Sequence, residues 1–279
     1  MKSSLFSYSR YTAMLLLAVS LSSCEKIITP DLDTAAPQLV IDASLDWKSG
    51  TSGNIQYIYI YTTNAYFDTE EAPKISGATV HVSNNSGDVF LFSEQAAGTY
   101  VCTDFVPELG KSYQLNVFLN GTVYTATDQL QSAPTDVIFT QNTEGGLFGN
   151  ITEIRGYFNG IGDKNNDYYL VKILNKYEKT PAYIDMDGKY YSQGRMFFIY
   201  TNDDIEVKDT LRFSIHRISS QYSNYINRLL NSTYSSSGPF STVPSPVRGN
   251  IVNQNDNDNN PLGAFRVTQY LQEEYIVKE

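Results

Sequence analysis

From Gln38 to Ala126 apolar and polar side chains alternate, and turn-forming residues interrupt the alternation about every ten residues. A side-chain period of two places one face of a segment in a core and the other in water, so these segments are read as strands. Leu39–Ala43, Ile55–Tyr61, Ala78–Val82, Val89–Phe92, Gly98–Val101, Tyr113–Leu119 and Val123–Ala126 fit the pattern. Asn120-Gly121 joins the last two and is the strongest hairpin signal in the chain, because both residues tolerate positive φ. Seven short strands followed by Ser132-Ala133-Pro134 predict an Ig-like or prealbumin-like β-sandwich over residues 38–134. Tyrosine is abundant, 22 residues against 14 Phe and one Trp. The ring packs while the hydroxyl reaches water, so the tyrosines are expected chiefly on strand surfaces, with an aromatic binding surface as the alternative.

Residues 135–279 stay β-rich. Glu153–Phe158, Asp167–Ile173, Met196–Tyr200, Asp209–Phe213, Gly249–Val252 and Leu262–Val267 read as strands. One segment changes period. Ile215, Ile218, Tyr222, Tyr225, Ile226, Leu229 and Leu230 recur at three- and four-residue steps, which predicts one amphipathic helix over about 215–231. The fold class is therefore all-β with one helix: a sandwich, then a second β-rich sandwich or barrel-like domain.

The first 23 residues have a different composition. Lys2 and Arg10 precede the apolar run Met14–Val19, and Leu21-Ser22-Ser23-Cys24 closes it. This is the plan of a signal peptide, and the run is shorter than the roughly 20 residues a membrane span needs. A Leu, two small residues and a Cys resemble a bacterial lipobox, in which the Cys thiol is acylated and becomes the first mature residue. Cys24 is thus the expected lipidation site. Residues 24–37 carry two prolines and no periodicity and read as a tether. Anchoring through more than one acyl chain is stable.

The net charge is −10, and Lys2 and Arg10 are the charges of residues 1–23, so the remainder carries −12. Such a chain repels nucleic-acid phosphates and anionic lipid alike, and membrane attachment must be covalent. With Cys24 acylated, Cys102 has no partner for a disulfide and reads as a small core hydrophobe.

Groups that could do chemistry are sparse. His81 is expected in a strand, and His216 is expected to open the helix. There is no Gly-x-Ser-x-Gly elbow, His-Glu-x-x-His or P-loop. The pairs Glu70-Glu71, Asp203-Asp204 and Glu273-Glu274 are adjacent residues, which point to opposite faces of a strand. Asp256 and Asp258 offer oxygens at alternate positions, as calcium loops do, and Asp185-Met186-Asp187-Gly188 is a similar fragment; neither has the full spacing. Asp33-Thr34-Ala35 and Asp209-Thr210-Leu211 match a short O-glycosylation pattern, with Thr34 the accessible candidate in the tether. No catalytic residue and no cofactor is expected.

Several motifs in order resemble a known family: the lipobox, Leu39-Val40-Ile41-Asp42, Ile75–Val80, Gly98-Thr99-Tyr100, Gly110–Val117, Pro239-Phe240, Pro244, Pro246, Gly249-Asn250-Ile251 and Leu262–Phe265. The sequence resembles the Bacteroidota outer-membrane lipoproteins of domain-of-unknown-function family 4249. Where that family usually has Gly-Tyr-Phe, this chain has Gly263-Ala264-Phe265. The resemblance implies a lipid-anchored protein of the outer membrane and cell surface. It also implies work beside a TonB-dependent transporter in nutrient uptake. The expected function is a non-catalytic binding or accessory module. The alternatives are a cell-surface adhesin or structural protein and a glycan-active hydrolase.

Overall fold

The computed structural model describes residues 36–65, 70–146, 149, 151–162, 166–191, 194–235 and 246–279. Its first seven strands are β1 Leu39–Lys48, β2 Gln56–Thr62, β3 Thr79–Asn84, β4 Val89–Ala96, β5 Thr99–Cys102, β6 Ser112–Leu119 and β7 Thr122–Gln129. These match the segments that alternation marks out. The β6–β7 hairpin turns on Asn120 and Gly121, both at positive φ (49° and 79°), as a primed turn requires. The later strands are β8 Ile138–Gly145, β9 Ile151–Asn159, β10 Tyr168–Leu174, β11 Ala182–Asp187, β12 Arg195–Thr201, β13 Thr210–Ile218, β14 Val252–Asn253 and β15 Leu262–Ile276. Helix α1, Ser220–Ser235, follows β13.

The helix starts later than the periodicity predicts. Ile215 and Ile218 belong to β13, whose pairing with β10 runs through Tyr168–Ile218. They are buried as strand residues, and His216 sits within that strand rather than at the head of a helix. Buried side chains crowd both faces of β13, and that density mimics a three- and four-residue step. Tyr222, Ser223 and Ile226 of α1 are buried, and Tyr222 and Ile226 pack with Leu170, Ile218 and Ala264.

Twelve strands form one open sheet in the order β11-β10-β13-β15-β1-β2-β5-β4-β3-β6-β7-β14, and β12-β9-β8 form a second. The architecture is all-β and sandwich-like. The first core gathers Ile41, Leu45, Ile58, Phe105 and Leu115, and the second Ile154, Tyr169, Phe198, Phe213 and Tyr275. Not all tyrosines lie on strand surfaces: Tyr100, Tyr113 and Tyr169 are fully buried. Each hydroxyl ties down a loop. Tyr100 accepts from the Ala78 amide, Tyr113 from Glu108 and Tyr169 from Ile161, at 3.0, 2.8 and 3.0 Å.

Strand β15 joins the two halves. It pairs in parallel with β1 from Leu262 to Tyr270 and antiparallel with β13 from Tyr270 to Ile276. Phe265 and Val267 lie in the first core and Tyr275 in the second. Gly263 is at φ +88°, where its Cα lies against the Ile41 carbonyl and leaves no room for a Cβ. Before it reaches β13, β15 has one edge without a full neighbouring strand, and side chains complete that edge. The Asn250 amide accepts from Phe265 N and donates to Phe265 O, both at 2.8 Å. Asp128 accepts from Val267 N at 3.1 Å. Pro37–Glu279 forms one compact unit.

Arg266, on the face of β15 away from the first core, locks α1 to the sheet. Its Nε and Nη2 donate to the two carboxylate oxygens of Asp46 at 3.1 and 2.8 Å, and Nη1 donates to the Tyr222 hydroxyl at 2.9 Å. The guanidinium also lies 4.9 Å from the Tyr222 ring centroid. Burial alone would raise the Asp46 carboxyl, but Arg266 and its other neighbours outweigh burial and hold it below the ordinary range. Removing one partner strands a buried charge. Arg266→Met is expected to cost about 3 kcal/mol in urea unfolding, the low end for a buried pair because 31% of the Asp46 side chain is exposed. The Asp46→Leu/Arg266→Met double variant should recover much of that loss.

Burial raises the Asp128 carboxyl, with the Val267 amide opposing. Its contribution to stability is therefore present below the ordinary carboxylate range and lost as pH rises through the raised value. Asp128→Asn keeps an acceptor and removes the charge. Its stability relative to wild type should grow from acid to neutral pH in paired denaturation curves.

Candidate functional site

The three-stranded sheet presents an exposed aromatic face. Alternation decides which side chains reach it. On β12, Met196, Phe198 and Tyr200 point into the second core, so Arg195, Phe197 and Ile199 point out. On β9, Ile154 and Phe158 point in, and Arg155 and Tyr157 point out. A Cβ on Gly156 would overlap the Phe198 ring, so the inner side is packed to contact. Register then lines up Phe197, Tyr157 and Ile138 across the three strands.

The row is ordered by ring contacts. Tyr157 and Phe197 lie 5.8 Å apart, and Tyr191 meets Phe197 edge-on at 5.6 Å and 88°. The Arg195 guanidinium stands over the Tyr157 ring, 5.3 Å from its centroid. Phe197, Ile199 and Ile138 are 39%, 41% and 58% exposed. Arg155 pairs with Glu153 on the same strand. Arg195 has no carboxylate within ion-pair distance among the described residues. The exposed Phe197 ring can stack on a planar or C–H-rich surface, and the unneutralised guanidinium beside it can grip an anion. A narrower exposed row, Ile55, Tyr57 and Tyr59, lies at β2, where the two tyrosine rings are 6.3 Å apart.

Other chemistry-bearing groups serve the fold. His216 is 3% exposed at its side chain, is stacked on Tyr270 at 4.7 Å, and has no hydrogen-bond partner on either ring nitrogen. Burial lowers its pKa to about 3, so it is neutral. Its Nδ1 stands 3.8 Å from Asp46, beyond hydrogen-bond reach, and Arg266 occupies both carboxylate oxygens. His81 of β3 stacks on Phe118 of β6. Cys102 is buried in the first core, where burial, aided by its hydrogen bond to Asp104, pushes the thiol up to about 11 and keeps it unreactive.

Asp256 and Asp258 are exposed in a loop that satisfies itself. The Asn253 side chain accepts from the amides of Asn255 and Asp256 and donates to the Asn259 carbonyl. Asp256 accepts from the Asp258 amide, and Arg248 takes the Asp258 carbonyl. The alternation of oxygens there builds turns. Asp185 and Asp187 lie in β11, where Asp185 accepts from Ser223 of α1. Among the described residues no cluster of three or more His, Cys, Asp or Glu side chains is set to hold a metal. Asp88, Asp104 and Glu108 line an open cleft of about 300 Å³ with Val89, Phe90 and Val106. Thr210 begins β13 with an exposed side chain. Cys24 and Thr34 lie outside the described residues. Among those residues no helix is long and apolar enough to cross a membrane.

Sequence reasoning did not find Asp46, Arg266 or the aromatic face. The last had a signal: Met196–Tyr200 is apolar at both parities, so one face of that strand was bound to be either buried or an exposed apolar patch.

Comparison with known proteins adds little about activity. No curated protein matches the chain. Among solved structures it is similar to the chicken CNTN1 FN1-FN3 domains at 12% identity, TM-score 0.23, over 64% of this chain. The similarity spans 62% of that chain, and at such a score it carries no argument. A family model described as domain of unknown function (DUF4249) matches residues 25–274, nearly the whole chain beyond Cys24. On that match, the chain belongs to the DUF4249 family.

Proposed function

We propose that this protein is a non-catalytic binding and accessory module, lipid-anchored at Cys24 to the outer membrane and working beside a TonB-dependent transporter. One observation carries the binding role: the aromatic face lies at the far end of β15 from the point where the chain enters the fold. The chain enters at Leu39, and Val40 pairs with Leu262 at the start of β15. The three-stranded sheet packs on Phe213 and Tyr275 near its other end. The separation along the strand is roughly 40 Å. An anchored body with its open rings at the far end is suited to meet a ligand away from the bilayer. The lipobox and the proline-bearing stretch 24–37 support the attachment. Tethering keeps such a body at high effective concentration beside a membrane partner without strong contacts between them.

A cell-surface adhesin would use the same exposed rings and differs in needing no fixed membrane partner. Two experiments test the proposal. Radioactive palmitate should label the wild-type protein, and Cys24→Ala should abolish the label and move the protein from the detergent phase to the aqueous phase. Retention of label by that variant contradicts the anchor. Affinity purification from outer membranes should retrieve a β-barrel transporter in fixed stoichiometry. Recovery of the protein without a barrel favours the adhesin.

A further inference from the structure

The aromatic face has chemistry specific enough to name a ligand class, and the inference rests on the binding role proposed above. We propose that the outer face of the β8-β9-β12 sheet binds oligosaccharides bearing carboxylates, with Phe197 stacking on a sugar ring and Arg195, held over Tyr157, pairing with the carboxylate.

Three observations carry it. The first is shape. Phe197, Tyr157 and Ile138 form a straight row fixed by backbone register, and Tyr191 braces Phe197 from the edge. A row set by register across three strands is rigid before any ligand arrives, so little ordering cost falls on binding. A pyranose ring has an apolar C–H face that lies well on such rings.

The second is charge. The chain carries 30 acidic against 20 basic residues, yet this face is not acidic. Arg155 is neutralised by Glu153, and Arg195 stands free of carboxylates among the described residues while held over Tyr157. The cation–π contact fixes the guanidinium beside the stacking surface without using its hydrogen-bonding edge. A guanidinium prepared in this way takes a carboxylate bidentately. A neutral sugar would leave it unused.

The third is the rim. Thr140 pairs with Arg155 in the register and Asn159 with Arg195, which sets hydroxyl and amide groups beside the rings. Donors and acceptors next to stacking faces suit vicinal hydroxyls. A lipid surface would fit the rings and the cation equally well, but this face lies at the other end of β15 from β1, where the chain enters the fold. An acidic peptide would satisfy Arg195 and has no ring faces to match the row.

The test is calorimetric titration of the full-length protein in detergent with three probes: hexagalacturonate, maltohexaose and hexaglutamate. Hexagalacturonate should bind most tightly. Arg195→Gln and Phe197→Ala should each weaken it by roughly tenfold or more. Leu91→Ala, exposed on the first sandwich, should leave it unchanged. Both test positions are exposed, and unchanged thermal melting of each variant confirms that folding is not the cause. Arg195→Lys keeps the charge and loses the planar fork, and should still lose affinity. Equal affinity for maltohexaose overturns the role of Arg195, equal affinity for hexaglutamate reduces the site to charge alone, and no heat with hexagalacturonate removes the proposal. None of these outcomes touches palmitate labelling or co-purification with a barrel, so failure here is separable from failure of the anchored-module reading.

Discussion

Strand β15 is the constraint on which the rest of the fold depends. Fifteen residues run from the first core to the second, with β1 as parallel neighbour for the first nine and β13 as antiparallel neighbour for the last seven. Parallel pairing between the first strand and the last closes a very long loop, which makes the contact non-local and slow to form. Once formed, it fixes where the second core stands relative to the first. Where no full strand lies alongside its first half, side chains take its backbone groups, Asn250 on Phe265 and Asp128 on Val267. Leaving those buried groups unpaired would cost on the order of 1–3 kcal/mol each.

The Arg266–Asp46–Tyr222 lock follows from the same strand. Arg266 alternates with Phe265 and Val267, so it must emerge on the face opposite the first core, under α1. A guanidinium there needs partners, and Asp46 lies two residues along β1 from Arg266's own partner, Ser44, and so on the same face. The result binds β1, β15 and α1 with one side chain. His216 shares this layer as a neutral, stacked ring. What resembles an acid–base constellation on paper is a structural junction in three dimensions.

Much of the first half was legible because its strands alternate cleanly and its turns carry Gly and Asn at the required positive φ. The second half was harder for identifiable reasons. β8 reads Ile-Phe-Thr-Gln-Asn-Thr-Glu-Gly, and its polar end hides a strand that pairs with β9. β11 carries two aspartates that mimic a calcium fragment. Dense burial in β13 imitated a helical step and moved the helix start from Ser220 to Ile215. The candidate site was the least legible. Ring rows depend on register between strands, and register is set by which parity faces the core, which no single segment reveals.

The function we propose treats Pro37–Glu279 as one body, with the chain entering at β1 and the exposed rings on the β8-β9-β12 sheet. That reading requires the halves to behave as one cooperative unit through β15. The single tryptophan, Trp47, packs against the first core and reports on that half alone, whereas far-UV circular dichroism reports on all strands. Equilibrium urea unfolding followed by both signals is the most direct test. Coincident transitions with one midpoint are predicted. A tryptophan transition well separated from the dichroism transition would contradict the account, because the halves would then be folding as independent domains.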